Sequence, residues 1–205
     1  MAYSVAPPAP VTQRADSGQP PGRRKSPWWR RLLTFDGPPP EIAHAVLERL
    51  LALLEAARGD LEAGWLQDGW HATEATGGQQ ILRTGLAAGL SARQPASAVC
   101  LVAALIRAGA RQGGDAEVGR AVDVVHDALW ESRGQSVRAT PGPGLFPVSS
   151  PQVRQAKAQE LTRWNDARDR TGSEVIAVLD GAIARVIQDL AALPAPPRVP
   201  AGAPA

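Results

Sequence analysis

Two acid-x-x-His spacings are the first chemistry this sequence offers, Glu41-x-x-His44 and Asp123-x-x-His126. Di-iron bundles use paired Glu-x-x-His motifs with two further glutamates, all projecting inward, so the spacing raises the question of a metal. Helical geometry argues against the first pair. At about 100° per residue, Glu41 and His44 fall on the side away from Ile42, Val46 and Leu53, with Glu48 beside them, and face solvent. His126 lies near an apolar stripe between Val122 and Trp130. A hydrogen-bonded histidine at the edge of a core is the simpler expectation there, and no metal or other cofactor is expected.

Cys100 is the single cysteine. With His71 or His126 and an Asn or Asp it could form a nucleophilic site. Reactive thiols need electropositive, partly exposed surroundings, whereas Val99, Leu101 and Val102 place this one in an apolar run, where a cysteine acts as a small hydrophobe. The densest polar constellation is Trp164-Asn165-Asp166 followed by Asp169-Arg170-Thr171. Asp166 and Asp169 could work as paired carboxylates. Local structure nevertheless accounts for these residues, since Trp164 can anchor a corner, Asn165 and Asp166 can turn the chain, and Thr171 can cap the next helix. The sequence holds no Gly-x-Gly-x-x-Gly, Walker or Gly-x-Ser-x-Gly pattern.

A different chemistry is offered by Arg23-Arg24-Lys25-Ser26-Pro27-Trp28-Trp29-Arg30-Arg31-Leu32-Leu33. Its cations can neutralise phosphates, and its indoles can stack on bases or lie at a lipid interface. The plainer expectation is a charged tail whose two tryptophans dock on the folded body. Residues 1–39 carry six basic groups against Asp16 and Asp36, a net +4, which leaves 16 basic and 18 acidic groups for the rest. A near-neutral body excludes a domain that binds nucleic acid across a folded basic face.

The elements that must position these groups follow from pattern. Residues 1–39 and 194–205 are rich in Pro, Ala, Gly and Arg without an apolar period, and are expected to be disordered tails around one helical domain, 40–193. A first helix is predicted from Pro40 to Arg58, with Ile42, Val46, Leu50, Leu53 and Leu54 inward and Gly59 stopping or kinking it. Residues Gly69 to Ile81 fit a short hairpin around Gly77-Gly78. A second helix, Ala96 to Arg111 with Pro95 in its first turn, is apolar on nearly every face from Ala98 to Ile106, and should be the central one.

Gly113-Gly114 ends that helix, and Asp115 is expected to cap a third, running to Glu131 with Val118, Val122, Val125 and Leu129 inward. Residues 132–150, rich in Gly and Pro, read as a long loop. Ser150-Pro151 opens a fourth helix by cap and first-turn proline. Thr171-Gly172-Ser173-Glu174 is a capping box for a fifth, which carries the stripe Val175, Leu179, Ile183, Val186 and Leu190 to about Leu193. The fold class expected is all-α, a small bundle of about five helices with one possible short hairpin.

Two of these segments carry a resemblance. Cys100-Leu101-Val102-Ala103-Ala104-Leu105 resembles the Cys-x-x-Gly-Ala-Leu helix of an uncharacterised domain family found in actinobacteria and their phages. Trp164-Asn165-Asp166, Arg170-Thr171 and Glu174-Val175 are similar to that family's closing signature. The match spans Val46 to Ile187 and departs at Ala103, where the family favours glycine, and in the loop 132–150. It implies relatedness and supplies no reaction or ligand. The residues themselves lead to three expectations: first a non-enzymatic module that binds a protein partner, then a basic-arm binder of nucleic acid or anionic membrane, and last an enzyme using Cys100 or the Asp166 region. One free cysteine and the absence of an apolar leader or a long apolar run point to the cytoplasm.

Overall fold

Helix α1, Pro40–Ala63, opens on Pro39 with a proline in its first turn and presents Val46, Leu47, Leu50, Leu53, Leu54, Ala57 and Leu61 as one buried stripe. At its first turn the stripe runs through Ala43, and Ile42, expected inside, is 52 % exposed. Nor does Gly59 end the helix. It lies on the exposed face with nothing within 4 Å of where a side chain would start, and Leu61 beyond it returns to the core. A glycine there weakens the helix by about 1 kcal/mol relative to alanine, which burial of the flanking turns overrides.

This is a computed structural model, and it describes residues 39–75, 78–83, 95–112, 114–136 and 149–194. The basic segment 23–33, most of the 132–150 loop and the C-terminal tail from 195 lie outside the described residues.

The hairpin exists, as β1 (His71–Ala75) paired antiparallel with β2 (Gly78–Leu82), His71 opposite Leu82 and Ala75 opposite Gly78. A third strand, β3 (Ala98–Val99), pairs antiparallel with the other side of β1, giving the order β2-β1-β3. The fold is therefore mostly helical with a small antiparallel sheet, and not all-α. Its strand β3 occupies what the pattern assigns to the first turn of the second helix. An apolar run reads alike as buried strand or buried helix. Partners decide here: Val99 N–H donates to Gly64 O at 2.9 Å, and Leu66 N–H to Val99 O at 3.0 Å. Gly64 is required for that approach, because a Cβ there would collide with the Ser97 carbonyl.

Helix α2 (Leu101–Gln112) starts one residue past Cys100 and is the buried centre expected of it, with Leu101 through Leu105, Arg107, Ala108 and Gly109 all enclosed. It packs on α1, α3 and α4. Helix α3 (Asp115–Ser132) has Gly114 rather than Asp115 at its N-cap, without a side-chain cap bond. A Cβ on Gly109 would overlap the Val118 side chain, so the α2–α3 crossing depends on this glycine. Val122, Val125 and Leu129 are buried as expected.

Helix α4 (Pro151–Asn165) begins as its sequence indicates: Ser150 Oγ accepts from Val153 N–H at 3.4 Å, with proline following the cap. Helix α5 (Gly172–Ala192) carries the complete capping box. Thr171 Oγ1 accepts from Glu174 N–H at 3.3 Å, and Thr171 N–H donates to Glu174 Oε2 at 2.9 Å. Its buried face, Val175, Val178, Leu179, Ala182 and Val186, covers α1 and α3.

Candidate functional site

Only half of the first acid-x-x-His pair faces solvent as its helical phase predicts. Glu41 is exposed, but His44 is half-buried and donates its Nε2–H to the Pro194 carbonyl at 3.1 Å. It fastens the start of α1 to the end of α5. Among the described residues no group of three or more His, Cys, Asp or Glu side chains is arranged to hold a metal ion.

The Trp164-Asn165-Asp166 corner is where the chain is tied together. Asn165 ends α4 fully buried. Its Oδ1 accepts from the Trp65 indole at 2.9 Å and from Leu101 N–H, at the start of α2, at 3.3 Å. Its Nδ2 donates to Leu66 O at 3.0 Å and to Asp166 Oδ1 at 2.8 Å. Asp166 Oδ1 also accepts from Asp68 N–H at 3.1 Å, where Asp68 adopts φ 55°, a left-handed conformation that Asp tolerates better than most residues. Gln67 Nε2 closes the corner on Ala167 O at 2.7 Å. The loop after α1, the start of α2 and the end of α4 thus meet on one amide side chain. Asp166 serves this clasp, and Asp169 is exposed outside it.

The Arg170 guanidinium stands over Trp164, 4.5 Å from the ring centre, and donates to Glu174 Oε1 at 3.0 Å. A cavity of about 410 Å³ opens beside this pair, lined by Leu129, Arg133, Trp164, Arg170, Glu174 and Val178 among others. Glu174 neutralises Arg170 and accepts from Thr171 N–H, and the Arg133 guanidinium carbon stands 5.1 Å from the centre of the Trp130 ring. Hydrogen bonds from Thr171 hold the Glu174 carboxyl below its usual range, so it stays ionised and engaged.

Cys100 is 1 % exposed, and burial pushes its thiol up to about 11. Its backbone N–H donates to Trp70 O at 3.0 Å, so it marks the junction of sheet and α2. His71 is also buried, and burial together with the Arg107 guanidinium lowers its pKa, which keeps the ring neutral. A thiol that stays protonated and a histidine that stays neutral are the reverse of an activated thiolate–imidazolium pair.

Pattern reading missed two features. The first is a charged seam between α3 and α4. Lys157 Nζ stands 2.9 Å from Asp123 Oδ1 and 3.6 Å from Asp127 Oδ1. His126 Nε2 lies 2.9 Å from Glu160 Oε2 and 3.0 Å from Trp130 Nε1. His126 is thus buried and hydrogen-bonded, as expected of a core-edge histidine, but in an ionic setting. Burial opposes its charging, yet the Asp127 and Glu160 carboxylates outweigh this and raise its pKa. Asp127 is lowered in turn, with His126 and Lys157 overcoming burial.

The second feature is a groove of about 520 Å³ on the outer face of α4. Half-buried Trp70 and Ala158 form its floor, with Thr162, Gln155, Gln159 and Arg163 around it. Arg163 is exposed and forms no ion pair among the described residues; its Nε–H donates to Gln159 O at 3.3 Å. A regularly spaced Gln155, Ala158, Gln159, Thr162 face was the available signal, but Trp70 comes from a distant loop. Among the described residues no helix is long and apolar enough to cross a membrane.

No curated protein and no solved structure matches the chain. Residues 45–185, well over half of its length, match a family of unknown function, DUF6197, and agree closely with the span over which the Cys100 helix and the Trp164 corner suggested relatedness. The chain belongs to that family.

Proposed function

We propose that this chain is a non-enzymatic helical module that binds a protein partner through the Trp70–α4 groove. The observation that carries the reading is an apolar floor of indole and alanine beside a cation, Arg163, that has no carboxylate partner among the described residues. An aromatic floor, hydrogen-bonding rim and uncompensated charge are the ingredients of a docking site for a side chain with an acid next to it. The occupant is a segment of a second protein that presents an apolar anchor to Trp70 and a carboxylate to Arg163. Gln155 and Gln159 are placed to bond its backbone. The free Cys100 thiol suits a reducing compartment, and the cytoplasm is the proposed location.

A photo-crosslinker at exposed Gln159 of the full-length protein, used in the native cell type, tests this. It should trap one heterologous protein, and the crosslink should disappear with Arg163→Glu. The same crosslinker at Ile187, exposed on α5, should not trap that protein. Equal capture from both positions, survival of the crosslink in Arg163→Glu, or capture of a second copy of this chain would each refute the reading.

The runner-up is polyanion binding through Arg23, Arg24, Lys25, Trp28, Trp29, Arg30 and Arg31. It is favoured only by the concentration of charge in the first 39 residues.

A further inference from the structure

One ring nitrogen in the α3–α4 seam has two partners that it cannot serve together. Trp130 Nε1 is only a donor, and an ionised Glu160 only accepts, yet both face His126 Nε2, at 3.0 Å and 2.9 Å. When the ring is protonated, Nε2–H donates to Glu160, and Trp130 loses its acceptor. When the ring is neutral with its proton on Nδ1, Nε2 accepts from Trp130, and Glu160 loses its donor. Asp127 Oδ1, 3.8 Å from Nδ1, favours a proton on that nitrogen in either state.

We propose that His126 is a proton-operated latch that ties α4 to α3 through Glu160 when charged and releases that tie to Trp130 when neutral. The groups facing the ring come from three elements. On α3 itself are Asp127 and Trp130; α4 contributes Glu160 and Lys157, the latter paired with Asp123 of α3; and α5 contributes Arg185, which acts through Asp127 and bonds Glu131 at 2.8 Å. Lys157 opposes protonation, and the two nearest carboxylates favour it, with a net upward shift. A histidine raised on folding contributes its stabilisation fully below the free-imidazole value near 6.5 and loses it as pH rises through the native value. The latch is closed on the acid side and opens toward neutral and basic pH.

Glu160 is on the same helix as Ala158, Gln159 and Arg163, so the latch sets how firmly the proposed docking face is held. That consequence rests on the docking reading; the latch itself does not. The test is an NMR titration of the full-length protein from pH 5 to 9, following the His126 ring and the Trp130 indole N–H, with exchange of residues 151–165 measured alongside. The Trp130 indole proton should shift with the His126 midpoint, which should lie above 6.5. Glu160→Gln should lower that midpoint. The pH-dependent part of α4 exchange, corrected for intrinsic rates, should be about 2- to 5-fold in wild type and absent in Glu160→Gln. Glu160 is partly exposed, so this variant should keep the fold.

A Trp130 indole indifferent to His126, a midpoint at or below 6.5, or α4 exchange that is equally pH-dependent in Glu160→Gln would overturn the latch. If the NMR behaviour is as expected but crosslinking from Gln159 fails, the latch stands and the docking reading falls.

Discussion

Replacing Asn165 with alanine should be one of the costly polar substitutions in this domain. The side chain accepts from Trp65 Nε1–H and Leu101 N–H and donates to Leu66 O and Asp166 Oδ1. Asp166 is half-exposed and recovers a bond from water, as does the Trp65 indole in part. Leu101 is fully buried, and its amide is one of the first in α2, where no intrahelical acceptor exists. Stranding a buried donor or acceptor costs about 1–3 kcal/mol. One buried amide, one part-buried carbonyl and a weakened indole bond together give roughly 3–4 kcal/mol, against a total stability of about 5–15 kcal/mol for a typical domain. For a chain of this length that lowers Tm by roughly 6–16 °C. Urea unfolding followed by far-UV circular dichroism measures it, with an unchanged slope confirming the same transition. Trp65→Phe removes one of the four bonds and should lose about 1 kcal/mol, with clear coupling to Asn165→Ala in a double-mutant cycle. A loss below about 1 kcal/mol for Asn165→Ala, or strict additivity with Trp65→Phe, would refute the assignment of this residue as the tie between three segments.

Cys100 should react with a disulfide reagent only at the rate of global unfolding, since its thiol is buried and shifted to about 11; prompt labelling of the native protein would restore the enzyme hypothesis. Gly59→Ala should raise stability by about 0.5–1 kcal/mol in the same urea assay, because the position is mid-helix, exposed and open to a methyl group. If the basic arm binds polyanions, deleting residues 1–35 should abolish DNA or anionic-vesicle binding, and the full chain's affinity should fall steeply with salt; a full-length protein indifferent to both at low salt ends that reading.

Elements marked by local chemistry were legible in the sequence. Ser150-Pro151 and Thr171-x-x-Glu174 are interactions within three residues, so spacing alone specifies them. The buried centre of α2 was equally plain from its unbroken apolar run. The same run concealed β3, because Ala98 and Val99 are strand only by virtue of β1 and Gly64, which lie more than 20 residues away. Asn165 was readable as a turn residue and not as a clasp, since three of its four partners stand 64 to 100 positions distant. Gln67 and Asp68 have no signature at all outside that contact. Trp70 and α4 form a groove only once the sheet has carried the tryptophan to the helix.

How α4 is held decides which substitutions reach its outer face from a distance. Its inward apolar contacts are chiefly Leu161 and Trp164, in its last two turns. Its middle is fixed by Lys157 on Asp123 and Asp127 and by Glu160 on His126, and its entry by Ser149 N–H on Asp123 Oδ2 at 3.2 Å. A helix attached through one apolar end and a polar seam moves when either is disturbed. Asn165→Ala or Lys157→Met would therefore weaken a partner on the outer face without touching it, by loosening the helix that carries the groove. Arg163→Glu changes the rim alone, as Arg163 is exposed and bonded only within α4. Lost binding in that variant, with α4 exchange unchanged, is the result that would locate the partner on the groove.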